Sequence, residues 1–196
     1  MSATQYNAAM RLLLTLGLLI AAVAPRADEA AAWAALRGGA PVVALMRHAL
    51  APGVGDPPGW RLEDCATQRN LDAAGRAEAQ AAGARLQREG VRFAKRLSSP
   101  WCRCRDTARL LDLGPVEIEP RFSNAYVLAD RRDALAQGGR EVIAAWQGPG
   151  PLLVVTHGEN IRALTGRSPD TAEVVVVAPD AAGALREIGS IRPAGR

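Results

Sequence analysis

Short apolar runs alternate along the chain with longer segments of helical periodicity. The short runs are apolar at nearly every position, which is typical of strands in a sheet that helices cover on both faces. The pattern predicts an α/β fold, a three-layer α/β/α sandwich with a mostly parallel central sheet, and ligands bind such sheets beyond the carboxyl ends of the strands. The predicted strands are 41–46, 91–97, 116–119, 151–156, 173–178 and 184–191, and the predicted helices are 30–36, 71–89, 100–113, 140–146 and one that opens at 161–164.

The start of the chain is typical of an export signal. An uncharged apolar run at 12–24 follows an arginine, and small residues such as Ala24 and Ala27 suit a cleavage site. The run is shorter than the ~20 residues of a membrane-spanning helix, so an uncleaved anchor is the minor alternative. We expect a signal peptide over 1–27 and one domain over 28–196, with membrane contact through the signal peptide only. The expected location is periplasmic or secreted.

Composition narrows the class of protein further. The chain is 48% hydrophobic and 22% charged, which favours a folded core over a disordered tail protein. The net charge is +4 and no long basic run occurs, so we expect no nucleic-acid partner. The three cysteines, Cys65, Cys102 and Cys104, match no zinc pattern. We therefore expect neither a metal nor a cofactor, and the oligomeric state stays open.

Both histidines of the chain directly follow predicted apolar strands. His48 comes after the first of these strands and His157 comes after PLLVVT. Arg47 precedes the first histidine, and Arg103 lies on the turn that follows another predicted strand. The arginine fork suits phosphate oxygens, so these four side chains predict a pocket for a dianion at the carboxyl edge of the sheet. The alternative is two structural histidines.

Four segments resemble the motifs of a known family. LMRHA at 45–49 resembles the "RHG" signature of the histidine phosphatase superfamily, also called phosphoglycerate mutase-like. SSPWCRCRDTARLL at 98–111 resembles the second motif of that family, and VVTHGENIRALTG at 154–166 resembles the third. NLDAAGRAEA at 70–79 is similar to the family's helix start. The segments occur in the family's order and look most like its short, exported branch.

The resemblance implies roles for individual residues. His48 is implied as the nucleophile that takes up the phosphoryl group, because a neutral imidazole is a good nucleophile near neutral pH. Arg47, Arg103 and His157 are implied to neutralise the oxygens of the transferring group. The implied contacts to the rest of the substrate come from Asn70, Asp64 and Glu159.

Three positions depart from the family pattern. Ala49 replaces the glycine of the RHG signature, and Glu78 replaces a glutamine near the helix start. Asn124 stands where many members carry the glutamate that acts as the general acid, and an amide cannot donate that proton. The candidates for another acid are Asp56, which we place first, Asp64 and Glu159, and the alternative for each is a solvated carboxylate or a cap.

The resemblance implies a phosphomonoester phosphatase that works through a phosphohistidine. The export signal favours an envelope or extracellular substrate, either a phosphorylated small molecule or an envelope glycolipid. The alternative is a non-catalytic phosphate-binding module of the same fold, since Asn124 replaces the usual acid.

The cysteines predict one disulfide bond. A bridge between Cys102 and Cys104 would strain the turn around Arg103, whereas Cys65 lies in a loop expected to cross the same edge of the sheet. We therefore predict a bridge from Cys65 to Cys102 or Cys104 in an oxidising compartment, with Cys102 preferred. The alternative is three reduced cysteines.

Overall fold

Six strands form one central sheet in the computed structural model, which describes residues 26–180 and 184–193. The strands are β1 (Val43–Arg47), β2 (Lys95–Ser98), β3 (Glu117–Ile118), β4 (Leu152–Thr156), β5 (Val174–Pro179) and β6 (Leu185–Ile191). The helices are α1 (Arg26–Arg37), α2 (Ala73–Arg88), α3 (Cys102–Leu110), α4 (Arg132–Ala144) and α5 (Gly158–Thr165). The predicted signal peptide lies outside the described residues except for its last two positions.

The strand order β3-β2-β4-β1-β5-β6 brings three carboxyl strand ends together. β4 pairs in parallel with β1 on one side and with β2 on the other, so Thr156 lies opposite Arg47 and Val155 lies opposite Ser98. The predicted α/β fold with a mostly parallel sheet is confirmed. β5 runs antiparallel to β1, because the segment after α5 stays at the carboxyl edge, where the Ala172 amide donates to the Arg47 carbonyl, and β6 runs antiparallel to β5.

The central strands are buried on both faces, as their composition predicts. Ala44 and Met46 of β1 pack into one core with residues of α1, α2 and α3, and the alternate residues Val43 and Leu45 pack into a second core that includes Ile143 of α4. This alternation follows from the two-residue period of a strand. Two cores on opposite faces of one sheet make the three layers.

Helix α2 lies close against the loop that follows His48. A Cβ atom at Gly75 would lie 1.9 Å from the Leu50 carbonyl oxygen, so only glycine permits this approach. Glu78 accepts hydrogen bonds from the Leu50 amide at 2.7 Å and from the Thr171 hydroxyl at 2.9 Å. The carboxylate that replaces the family's glutamine thus joins two loops at the carboxyl edge.

The structure corrects several predicted boundaries, among them those of α4 and β2. Helix α4 begins at Arg132 and not at 140, and its apolar period is hidden by Gly138 and Gly139, which lie where the helix packs against Arg121 and Phe122. Strand β2 begins at Lys95 and not at 91. No helix in the described ranges has the length and apolar character needed to cross a bilayer.

Candidate active site

A cavity of about 280 Å³ opens at the carboxyl ends of β1 and β4. Arg47, His48, Arg103 and His157, the four residues predicted to surround a dianion, all line it. Segments distant in sequence meet here because β1 and β4 end at the same edge of the sheet. The other lining residues are Gly53, Val54, Gly55, Arg69, Asn124, Tyr126, Gly158, Glu159, Arg162, Ser168 and Pro169.

His48 is held in one orientation by its own backbone. Its amide donates to the Thr156 carbonyl at 2.9 Å, and its Nδ1 lies 2.8 Å from the Ala49 carbonyl oxygen. A carbonyl only accepts, so Nδ1 carries the proton and Nε2 keeps a lone pair. Burial, reinforced by the charge of Arg103, holds the pKa of His48 well below its usual value. The imidazole is therefore neutral at neutral pH and has a lone pair on Nε2.

His157 begins α5 and lies edge-on to His48, with 5.4 Å between ring centroids. Its Nε2 lies 2.9 Å from the Ser99 hydroxyl, and its Nδ1 lies 3.5 Å from Nη2 of Arg103. The guanidinium only donates, so Nδ1 accepts and Nε2–H donates to Ser99. Burial, followed by the Arg103 charge, holds the pKa of His157 well below its usual value, so this ring is neutral too.

Arg103 is fully buried and ion-paired with Asp56. Nη1 lies 2.7 Å from Oδ1 of Asp56, and the side chains of both residues are fully buried. Asp56 also accepts from the Arg69 amide at 2.9 Å and from the Trp101 indole at 2.9 Å. These three donors hold the pKa of Asp56 below its usual range, against the effect of burial, which is the largest single influence and acts to raise it.

The geometry around Asp56 suits positioning rather than acid catalysis. A general acid needs a proton to give at neutral pH. Asp56 is ionised, is saturated by donors and does not line the cavity. The structure therefore places Asp56 behind Arg103, where it fixes the direction of the guanidinium.

Arg69 is a site residue that the sequence analysis missed. It lines the cavity, and its side chain donates to the Gly55 carbonyl at 2.7 Å and to the Ala51 carbonyl. Burial, followed by the charge of Arg103, lowers the pKa of Arg69 from its ordinary value. Its neighbour Asn70 lies in the fourth motif, so position alone offered a signal, but the grouping of four arginines around one cavity becomes visible only in the fold.

The remaining predicted residues are divided between the cavity and its surroundings. Glu159 lines the cavity and forms ion pairs with Arg162 at 2.7 Å and Arg132 at 3.2 Å. Its hydrogen bonds to Arg162 hold the pKa of this carboxyl below its usual range. Asp64 and Asn70 do not line the cavity.

Asp64 and Asn70 instead order the loop before α2. Asp64 accepts from the Ala66 amide and caps a short 3-10 helix, and Asn70 donates to the Cys65 and Gln68 carbonyls. These hydrogen bonds give the two residues a structural part, outside the lining of the cavity.

The predicted disulfide is confirmed as Cys65–Cys102, while Cys104 is a buried free thiol. Gln68 adds a second link between the same two segments, because its Oε1 accepts from the Cys102 amide at 3.0 Å. Burial raises the pKa of Cys104 to about 12, so its thiol stays protonated beside His157. The bridge ties the loop before α2 to the turn that carries Arg103.

Within the described ranges, no group of three or more metal-ligating side chains occurs. Arginine side chains in the cavity lining supply positive charge for an anion. Three buried or half-buried guanidinium groups and two imidazoles surround a space in which a tetrahedral oxyanion fits.

The model of the histidine phosphatase superfamily, branch 1, matches residues 43–129. The family prediction is confirmed. The match includes His48, Arg103 and Asn124, and the third motif with His157 lies beyond it. The match to this superfamily model, together with the pocket, supports a hydrolytic phosphatase. No curated protein matches the chain significantly.

Solved structures of histidine phosphatases share this fold. SixA from Agrobacterium tumefaciens is 21% identical, with a TM-score of 0.56 over 79% of this chain and 99% of that chain. The protein histidine phosphatase SixA complexed with tungstate is 20% identical, with a TM-score of 0.50 over 78% and 97%. A mycobacterial glucosyl-3-phosphoglycerate phosphatase is 18% identical, with a TM-score of 0.54 over 76% and 96%.

Proposed function

We propose that this histidine phosphatase hydrolyses phosphomonoesters through a phosphohistidine on Nε2 of His48. The observation that carries the proposal is the hydrogen bond from Nδ1 of His48 to the Ala49 carbonyl, which leaves the Nε2 lone pair unprotonated. The buried, neutral state of the ring keeps that lone pair available below pH 7. Arg103 and the other cations supply the charge that a transferring phosphoryl group needs.

The reaction balances with the groups of this site. Nε2 forms a bond to phosphorus as the bond from phosphorus to the ester oxygen breaks, and the electron pair leaves on that oxygen. The phosphorylated ring is an imidazolium whose Nδ1–H still donates a hydrogen bond to the Ala49 carbonyl. The released ester oxygen takes a proton from solvent. Water then bonds to phosphorus and returns one proton to solvent, while the P–N bond returns its electrons to Nε2, so the products are the alcohol, phosphate and a neutral His48.

We place the substrate outside the cytoplasm, in the periplasm or the extracellular space. The export signal in the sequence and the Cys65–Cys102 disulfide support this location, because disulfides persist in oxidising compartments. A phosphorylated small molecule or an envelope glycolipid is then the class of substrate. The similar SixA structure is complexed with tungstate, a tetrahedral oxyanion like phosphate, and this supports a phosphate ligand for the present fold.

The proposal is tested by trapping the intermediate on the full-length mature enzyme. After mixing with p-nitrophenyl phosphate and an alkaline quench, intact mass spectrometry should show one phosphoryl group that maps to His48. His48→Ala should lose the label and at least about a thousandfold in kcat/KM. His157→Asn, which keeps the nucleophile, should still acquire the label, but more slowly.

Two results would contradict the proposed function. An unlabelled wild-type enzyme that turns over p-nitrophenyl phosphate normally would contradict the covalent route. Absence of any turnover, with phosphate still binding, would favour the non-catalytic phosphate-binding module.

A further inference from the structure

Two of the three large hydrophobic side chains that are exposed in the described part of the chain lie at the mouth of the active site. Val54 is 83% exposed and Tyr126 is 53% exposed, and both line the cavity. The third, Ile118, is 47% exposed and lies on β3, away from the cavity lining. Exposed apolar groups that are grouped at a binding site indicate a contact surface for a ligand.

The side chains of Val54 and Tyr126 lie on one surface, which is ordered by the loop at 53–55. Gly53 and Gly55, with φ of +89° and +69°, flank Val54 in the left-handed region and present it at the tip of its loop. A Cβ atom at Gly55 would lie 3.6 Å from Cε1 of Tyr126, so the ring packs against this loop. We call Val54, Gly55 and Tyr126 the apolar platform.

The residues that fix the apolar platform also line the phosphate pocket. Arg69 donates through Nε to the Gly55 carbonyl at 2.7 Å, and the Tyr126 amide donates to Oδ1 of Asn124 at 3.0 Å. Both Arg69 and Asn124 line the cavity. A phosphate bound among the cations would therefore have its ester oxygen within reach of the platform.

The pocket is poor in proton donors for a leaving group. Among the residues that the structure describes, Glu159 is the one carboxylate in the cavity lining, and two arginines hold it ionised. Asn124 occupies the place of the glutamate that many family members carry. A leaving group must then depart with little help from a carboxylic acid.

We propose that the apolar platform is the leaving-group subsite and that it takes an aryl group, so that the preferred substrates are aryl phosphates. This inference deepens the proposed phosphatase function and rests on it. A flat ring packs on Val54 and Tyr126, as aromatic side chains pack on one another. A phenol has a pKa of about 10 and leaves as phenolate, whereas an alkyl alcohol, like water, is a far weaker acid and needs a proton in order to leave.

The chemical step follows from this choice. Nε2 of His48 forms the P–N bond while the bond from phosphorus to the phenolic oxygen breaks, and phenolate leaves with the electron pair. The later attack of water releases one proton at phosphorus, and this proton balances the phenolate to give phenol and phosphate. No carboxylic acid takes part in either half of the reaction.

Binding alone tests the subsite without any turnover. Phenylphosphonate and methylphosphonate carry the same anionic group on a P–C bond, and calorimetry on the mature enzyme gives their affinities. We expect the phenyl compound to bind about tenfold more tightly. Tyr126→Ala should reduce this ratio to about twofold, and Ile118→Ala, an equally exposed change away from the cavity, should leave it unaltered.

Turnover then separates the ring of Tyr126 from its hydroxyl. In the wild-type enzyme, kcat/KM should be higher for phenyl phosphate than for ethyl phosphate, and Tyr126→Ala should raise KM for the phenyl ester about fivefold. Tyr126→Phe keeps the ring and should restore the preference. If Tyr126→Phe instead loses ethyl phosphate hydrolysis selectively, the hydroxyl is a proton donor and the platform proposal is wrong.

The two proposals fail differently. Equal affinity for the two phosphonates, or equal turnover of aryl and alkyl phosphates, overturns the aryl subsite while hydrolysis itself continues. A tenfold phenyl preference in binding with no hydrolysis of any ester supports the subsite and overturns the proposed function.

Discussion

At the scale of single residues, Asp56 has two possible roles: it can position Arg103, or it can act as the general acid. Its carboxylate is buried, accepts from Arg103, Trp101 and the Arg69 amide, and has a pKa below its usual range. Asp56→Asn removes the charge but keeps an oxygen for the Arg69 amide. We expect kcat/KM to fall about 100-fold, because a small displacement of Arg103 misplaces the transferring group.

The leaving group decides between the two roles. The loss in Asp56→Asn should be equal for p-nitrophenyl phosphate and ethyl phosphate. The control is Glu63→Gln, whose exposed side chain lies in the same loop region, and it should keep wild-type kinetics. A loss confined to ethyl phosphate would restore Asp56 as the general acid.

At the scale of elements, the disulfide joins the loop before α2 to the start of α3. It closes a sequence separation of 37 residues and lies next to Arg103 in the chain. We expect the double variant Cys65→Ser, Cys102→Ser to lose about 2–4 kcal/mol of unfolding free energy, measured by urea denaturation.

Reductant supplies the matched control for the disulfide. Dithiothreitol should lower the stability of the wild-type protein to that of the double variant and should leave the variant unchanged. A wild-type protein that is insensitive to reductant would show that the bridge contributes nothing to the stability of this edge.

In helix α2, the effect of Gly75→Ala on stability tests the close packing of the helix against the loop after His48. Alanine has a higher helix propensity than glycine by about 1 kcal/mol, so propensity alone makes Gly75→Ala stabilising. The added Cβ would lie 1.9 Å from the Leu50 carbonyl, and the loop after His48 would have to move. We therefore expect Gly75→Ala to lower both the melting temperature and kcat/KM, and a more stable, fully active variant would contradict the close packing.

At the scale of the whole molecule, stability should depend on pH through the two histidines. Burial holds the pKa of both His48 and His157 well below 6.5, the usual value that the unfolded chain recovers. Below pH 6.5 the unfolded chain binds protons that the folded chain does not, so the free energy of unfolding falls as the pH falls. Urea unfolding at pH 7.5 and pH 5.5 should show this decrease.

A histidine-free variant isolates the effect. His48 and His157 are the two histidines of the chain, so the double variant His48→Asn, His157→Asn contains no other imidazole. It should lose most of the pH dependence between about 7.5 and 5.5, a window above the range in which carboxylates titrate. An unchanged dependence in the double variant would place its origin elsewhere.

The sequence by itself determined the layers and the principal side chains of the site. Strands that are apolar on both faces require helices on both sides, which fixes the sandwich. Histidines and arginines directly after such strands must meet at one edge, which predicted that Arg47, His48, Arg103 and His157 share a pocket. The single turn around Arg103 also made Cys65 the reasonable partner for Cys102.

Tertiary structure alone decided which polar residues serve the substrate and which serve the scaffold. Three carboxylates look alike in the sequence, but they have different partners in the structure. Asp56 forms an ion pair with Arg103, Asp64 caps a short helix, and Glu159 forms an ion pair with Arg162 at the cavity. Arg69 and Tyr126 reach the site from loops whose paths no periodicity encodes. Local pattern indicates where a strand lies in the chain, whereas partners distant in sequence, brought together by folding, determine the charge and direction of each side chain.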